Sequence, residues 1–235
     1  MATAKTGGSR PRFDSSTLRF LTDLAGHNER PWFAANKQRY DDHVATPALA
    51  FIDAFTEPLA RISRHFVAAP KRVGGSLMRV YRDTRFAHDK TPFKTNIGIQ
   101  FRHERGRDVH APGFYVHIEP GASFLGAGIW HPEPSALTAI RMAIVEQPTA
   151  WRQARDSAEF RRHFELDGDQ LMRVPRGFSA DAPHADDLRR KDFIATCSLG
   201  DRDVLRSGFA ERVAERFGAA APLMRFLCDA LDFKF

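Results

Sequence analysis

The chain has 235 residues, 43% of them apolar and 20 of them Phe, with a formal net charge of +6. That length and apolar content exclude a disordered chain and suffice for one large packed domain or two small ones. No apolar run reaches the length of a membrane span, the N-terminus lacks the apolar stretch of a secretory signal, and Cys197 and Cys228 have no spacing of a disulfide framework or zinc site.

These exclusions lead to the expectation of a cytoplasmic protein with reduced thiols and no membrane partner. Residues 1–12 hold small side chains, glycines and basic charges and are expected to be a disordered tail, leaving 13–235 as a single domain. Asp14 or Ser15 suits the N-cap of a first helix, whose Leu18, Leu21, Leu24 and Ala25 form an apolar stripe. Gly26-His27-Asn28 ends it. Pro31 fits the first turn of a second helix carrying Trp32, Phe33, Asn36, Lys37 and Tyr40 on about one side. Pro47 opens a longer pattern through Leu49, Ile52, Phe55, Leu59, Ile62 and Phe66, which Pro58 should kink or divide.

After Gly74-Gly75 the apolar period falls from 3.6 to 2, and strands are expected over 76–86, 95–103, 113–119 and 123–131. Short connections at 104–110 and Pro120-Gly121 make the later ones antiparallel neighbours in a meander. From Pro132 the pattern is helical again, with Leu137, Ile140, Arg141 and Ile144 on one helix, Trp151 on the next and Phe160 with Phe164 on a third. A basic loop over 173–178 leads to a fifth strand over 193–197. Two helices close the chain, one through Val204 to Phe217 and one from Pro222 to Leu231. The fold class is therefore α+β: one mainly antiparallel sheet of about five strands with a meander core and helices packed on one face.

Alternate strand residues point to opposite faces. Ile97, Ile99 and Phe101, then Phe114, Val116 and Ile118, then Leu125, Ala127 and Ile129 make an aliphatic face for the helices. The opposite face collects Tyr115, His117, Glu119 and Trp130 beside Gly126 and Gly128. Continued through 76–86, the same parity puts Arg79, Tyr81, Asp83 and Arg85 on that polar face and Arg82 on the apolar one.

The segment 79–93 carries Arg79, Arg82, Arg85 and Lys90 against only Asp83 and Asp89. Guanidinium forks hold carboxylate or phosphate oxygens in pairs. Arg79, Arg85, Lys90 and Lys94 are therefore candidate donors to an anionic small molecule, with Tyr81, Tyr115 and Trp130 as an aromatic wall and Gly126 and Gly128 clearing room. Arg82 is expected in a structural ion pair, with Asp83 and Asp89 as the acids at hand. A lattice of arginine and acid tying the sheet to the 89–90 loop explains the same residues, and both readings stand at this point. His117 and Glu119, two apart on one face, are the candidate catalytic pair, a base and its orienting carboxylate. His103 and His131 have the opposite parity, so no metal site is expected. No phosphate-binding glycine loop, dinucleotide fingerprint or nucleophile elbow occurs, and no cofactor is indicated.

The stretch 79–93 also resembles a known family through the pattern R-x-x-R-D-x-R-F-x-x-[D/N]-K-x-x-[Y/F]. Trp32-Phe33 with Asn36-Lys37 and Tyr40, Pro92-Phe93-Lys94-Thr95-Asn96, the runs 113–119, 126–130 and 173–178, and Lys191-Asp192-Phe193 extend the likeness over nearly the whole chain after residue 12. That family is the bacterial and fungal domain of unknown function number 2461. The resemblance implies a whole-chain domain and adds no reaction; Phe93 stands where the family more often carries Tyr.

A second function class is a sequence-tolerant RNA- or DNA-binding module, in which the aromatic face stacks bases and Arg173, Arg176, Arg189, Arg190 and Lys191 extend a basic track. A pI near 9.7 keeps that class in view. Glycines beside aromatics favour a pocket over an open platform, so the leading expectation is a small-molecule protein.

Overall fold

Asp14 caps the first helix as its position implies. Its side chain accepts the N–H groups of Ser16 and Thr17 at 2.8 and 3.2 Å, and Thr17 Oγ1 accepts the N–H of Asp14 in return. The computed structural model describes residues 12–85, 88–106 and 111–235. The expected tail up to residue 11, Phe86 at the end of the expected first strand, and 107–110 in the following connection lie outside the described residues.

Helix α1 (Ser15–Gly26) leads through α2 (Arg30–Ala35), α3 (Lys37–Tyr40) and a π-helical turn (Asp41–Ala45) to α4 (Thr46–Ala54) and α5 (Thr56–Ile62). The break between α4 and α5 follows from Pro58, which has no N–H for the carbonyl of Ala54 and crowds it with its ring. Strands β1 (Phe66–Val67), β2 (Ile97–His103), β3 (Gly113–Ile118) and β4 (Ser123–Ile129) come next. Then follow α6 (Pro134–Glu146), α7 (Pro148–Asp156), α8 (Ala158–His163), β5 (Glu165–Asp167), α9 (Ala185–Leu188), β6 (Phe193–Leu199), α10 (Asp201–Leu205) and α11 (Phe209–Ala230). The strands form one open antiparallel sheet in the order β1-β2-β3-β4-β6-β5. The fold is a single α+β domain with the expected meander at its centre. No helix among the described residues is long and apolar enough to cross a membrane.

The aliphatic face is the core. Ile99, Phe101, Phe114, Val116, Ile118, Leu125 and Ile129 are fully buried. Phe55 packs on Phe101 at 4.8 Å and Phe217 on Phe114 at 4.7 Å, which lays α4, α5 and α11 over this side. A buried phenylalanine contributes roughly 1.5–3 kcal/mol by leaving water, so this face holds most of the driving force for folding.

Three expectations are corrected. The segment 76–86 is not a continuous strand. It pairs only in isolated bridges, Leu77 with Ile99 on the outer edge of β2 and Tyr81 with Phe93 ahead of that strand, while β1 takes the edge at His103. Leu77 is buried and Met78 sits against Gly98, so the parity carried through this segment does not hold. Phe66, expected at a helix end, is in β1, and β5 is a further unexpected strand; runs of two and three residues are too short for a period to show. At the C-terminus the chain breaks at Gly208, which has φ 73°, and α11 runs straight through Pro222. A proline inside a helix costs about 3 kcal/mol. Here it is outweighed by the burial of Phe217, Ala220, Leu223 and Met224 around it.

Gly126 and Gly128 are needed for different reasons. Gly128 has φ 132°, and a Cβ there would stand 2.0 Å from the carbonyl oxygen of Phe193. On Gly126 a Cβ would meet nothing nearer than Tyr115 Cβ at 3.5 Å, an ordinary contact. Gly128→Ala is predicted to destabilise the fold by about 3 kcal/mol or more. Gly126→Ala should leave stability within about 1 kcal/mol of the wild type. Urea unfolding of the two variants measures both, and equal losses would contradict the distinction.

Candidate functional site

Three rows of residues cross the polar face of the sheet, fixed by its register. Gly98, His117 and Phe124 form one, Gln100, Tyr115, Gly126 and Thr196 the next, and Gly113, Gly128, Ile194 and Asp167 the third. With a rise of about 3.4 Å per residue, the first and third rows lie about 14 Å apart. Above them is a cavity of about 390 Å³, lined by the Tyr115 and Gly113 rows, by His117 and Phe124, and at its ends by Met78 and Trp130. That volume lies in the range of small-molecule sites, and its walls are mostly apolar with a few polar groups, as such sites are.

Tyr115, His117 and Glu119 project on the same side, and the chain links them by hydrogen bonds. His117 Nε2 lies 3.0 Å from Glu119 Oε2. A carboxylate only accepts, so Nε2 carries the proton and Nδ1 presents its lone pair. Towards that lone pair come Tyr115 Oη at 3.1 Å and Asn96 Nδ2 at 3.3 Å. Thr95 Oγ1 donates to the other Glu119 oxygen at 3.2 Å, holding the carboxylate in place. The imidazole is stacked on Phe124 with ring centres 4.6 Å apart. Gly98 opposite His117 leaves the space for the phenol: a Cβ there would stand 2.9 Å from both Tyr115 Oη and Met78 Sδ.

Burial pushes the Tyr115 hydroxyl up to about 12; the Glu119 charge adds to the rise and a hydrogen bond with Asn96 works against it. The phenol thus stays protonated and is a donor at neutral pH. Chemically, Thr95, Glu119, His117 and Tyr115 form an oriented relay. A proton leaving Tyr115 goes to His117 Nδ1, and Glu119 stabilises the imidazolium that results.

The arginine block lies beside this site and not on the cavity wall. Arg82 bonds Asp89 and Thr91, and Arg85 grips Asp83 through Nε at 3.0 Å and a terminal nitrogen at 2.7 Å. Lys90 Nζ donates to the carbonyl of Thr84 at 2.8 Å. Asp83 is held well below the usual carboxylate range by the Arg85 side chain and then its N–H. Asp89 is brought to about 2, first by the N–H of Thr91 and then by Arg82. Phe93, the last aromatic of the motif, is buried at 4.2 Å from Phe33, and Asn28 clamps its N–H and carbonyl at 3.0 Å each. Tyr81 is half exposed over Phe93 and Phe33.

Arg79 and Lys94 differ from the rest of the block. Among the described residues neither has a carboxylate within ion-pair distance. Burial lowers the Lys94 pKa, and the neighbouring Arg79 charge lowers it further. The two cations therefore repel one another, in the segments that lead to Met78 and to Asn96.

The basic track considered for nucleic acid is largely paired. Arg189 bonds Asp186 at 2.9 Å, Arg190 bonds Asp187 at 3.0 Å and Lys191 lies 3.7 Å from Asp169. No group of three or more His, Cys, Asp and Glu able to hold a metal occurs among the described residues. Of the cavity residues, the sequence reading singled out Tyr115, His117, Gly126, Gly128 and Trp130. It missed Gln100, Thr196 and Asp167 as site residues. Strand alternation alone points to Gln100; the other two lie on β6, whose faces were not assigned, and on the unexpected β5.

A family model described as a conserved hypothetical protein (DUF2461) matches residues 16–226. No curated protein and no solved structure matches the chain.

The buried phenol has a signature in pH. Its folded pKa is raised, so its contribution to stability is intact below the ordinary tyrosine value near 10 and is lost as pH rises towards about 12. In an ultraviolet titration, the difference between wild type and Tyr115→Phe is expected to stay flat through pH 10 and to rise only above 11. A phenolate signal from Tyr115 at pH 10 would contradict the buried donor.

Proposed function

We propose that this chain, which belongs to the DUF2461 family, binds an anionic small molecule on the open face of its sheet and transfers a proton to or from it. The carrying observation is that an oriented Glu119–His117–Tyr115 relay ends on the wall of a cavity of about 390 Å³. A hydrogen-bonded carboxylate, imidazole and phenol on a plain sheet face would satisfy one another without any cavity above them. Here Gly126 leaves the floor clear, and the apolar walls keep water from competing for the proton.

Arg79 and Lys94 supply the anion's counter-charge. An anion bound between them removes their mutual repulsion and restores the charge that burial disfavours on Lys94. A phosphate or carboxylate held there has its organic part directed along the cavity, past Met78 and His117. As the ligand gives up a proton to Tyr115 Oη, the phenol's own proton passes to His117 Nδ1, and the reverse movement returns a proton to the ligand. The nucleic-acid reading has less support, since three of its five basic residues pair with Asp169, Asp186 and Asp187.

Phenyl phosphate tests this reading, because it joins an apolar ring to an anion. It is expected to raise the melting temperature of the wild type, with Arg79→Ala and Lys94→Ala each weakening its affinity about tenfold, the loss of one charged hydrogen bond. Tyr115→Phe should keep that affinity. Unchanged binding in both cation variants, or no binding of phenyl phosphate or any other aromatic anion to the wild type, would overturn it.

A further inference from the structure

The end of the cavity farthest from His117 has its own chemistry. Among the described residues, Asp167 is the sole Asp, Glu, Lys or Arg on the cavity wall. Its Oδ1 accepts the N–H of Gly168 at 2.7 Å, and among the described residues no Lys or Arg lies within ion-pair distance of its carboxylate; Arg190 reaches only its backbone carbonyl, at 3.4 Å. Beside it on the same wall stands Trp130, a large aromatic that is 53% exposed. Such a side chain ordinarily finds cover in the core.

Trp130 is exposed but not loose. One face of the indole is stacked on His131, with ring centres 4.1 Å apart. His131 has φ 48°, a conformation uncommon outside glycine that persists only where the surroundings fix it. Asp192 provides that fixing: it is buried, and its Oδ1 lies 2.7 Å from the His131 backbone nitrogen and 3.0 Å from Nδ1. The same carboxylate holds the turn that carries Asp167. Its Oδ2 accepts the N–H of Asp169 at 3.4 Å, and Gly168, with φ 99°, lies so close that a Cβ would stand 2.7 Å from Asp192 Cβ. One buried acid thus positions both the indole and the free carboxylate at a single end of the cavity.

We infer that Trp130 and Asp167 form a subsite for a cationic group, an ammonium or amidinium, on the small molecule that the cavity binds. An aromatic face attracts a cation through its ring quadrupole, and a carboxylate without a cationic partner supplies the opposite charge. The inference rests on the reading that the cavity is a small-molecule site. Together with Arg79 and Lys94 it makes the ligand dipolar, with one anionic and one cationic group.

The test compares 2-phenylethylammonium with its neutral analogue 2-phenylethanol on the full chain by calorimetry, with phenyl phosphate as a separate probe of the anionic end. The ammonium is expected to bind about tenfold more tightly than the alcohol. Asp167→Ser should abolish that preference, keeping a hydroxyl for the N–H of Gly168, and leave phenyl phosphate affinity equal or higher. Trp130→Leu should weaken the ammonium while Trp130→Phe keeps most of its affinity, which gives a second route if Asp167→Ser fails to fold. Equal binding of ammonium and alcohol, or a preference that survives in both Asp167→Ser and Trp130→Leu, would overturn the subsite. If phenyl phosphate fails while the ammonium preference holds, the anionic end falls and this subsite stands; the converse pattern removes the subsite alone.

Discussion

An antiparallel strand cannot send neighbouring side chains to the same face, and this constraint organises the molecule. Packing Val116, Phe114 and Ile118 under the helices commits Tyr115 and His117 to the other side. There they must bond one another, water or a ligand, because a polar group left without a partner costs free energy. A slip of one residue in register would bury His117 and expose Val116, so the hydrophobic core itself holds the relay in place. Stability and site geometry are thus set by the same pairing.

The abundance of arginine reads differently once partners are assigned. Buried Asp187 accepts the indole N–H of Trp151 at 2.8 Å and also pairs with Arg155 and Arg190. Removing such an acid leaves guanidinium groups uncompensated in a poorly solvated place, which is strongly destabilising. Asp192 plays a related part at the Trp130 corner, and Asp83 and Asp89 do so in the motif loop. Much of the chain's positive charge therefore braces loops and helices against the sheet. Among the described residues no acid lies within ion-pair distance of Arg79 or Lys94, and for that reason the pair is proposed as the anionic end of the site.

The meander and its two faces were readable from alternation, because β2, β3 and β4 each run six or seven residues with one face apolar except for His103 and Ser123 at strand ends. The first helix was readable from Asp14, and the family likeness from the motif. What escaped were features set by distant contacts. The parity carried through 76–86 failed because that segment pairs only in isolated bridges, so Arg79, Tyr81 and Arg85 lie outside the cavity wall. Strands of two or three residues, such as β5 with Asp167, have no period to detect. Asn96 was visible in the motif, yet its bond to His117 depends on the β2–β3 register, which a local pattern does not state.

The central claim is that the polar sheet face, above Gly98 and Gly126, is where this protein meets its ligand. Backbone amide chemical shifts recorded during titration with phenyl phosphate test it most directly. The account predicts that perturbations gather at Gly98, Gln100, Tyr115, His117, Gly126 and Thr196, with a second group at Arg79 and Lys94. Shifts confined to the surroundings of Arg155 and Arg190, or spread along 173–191 with the sheet face silent, would contradict it.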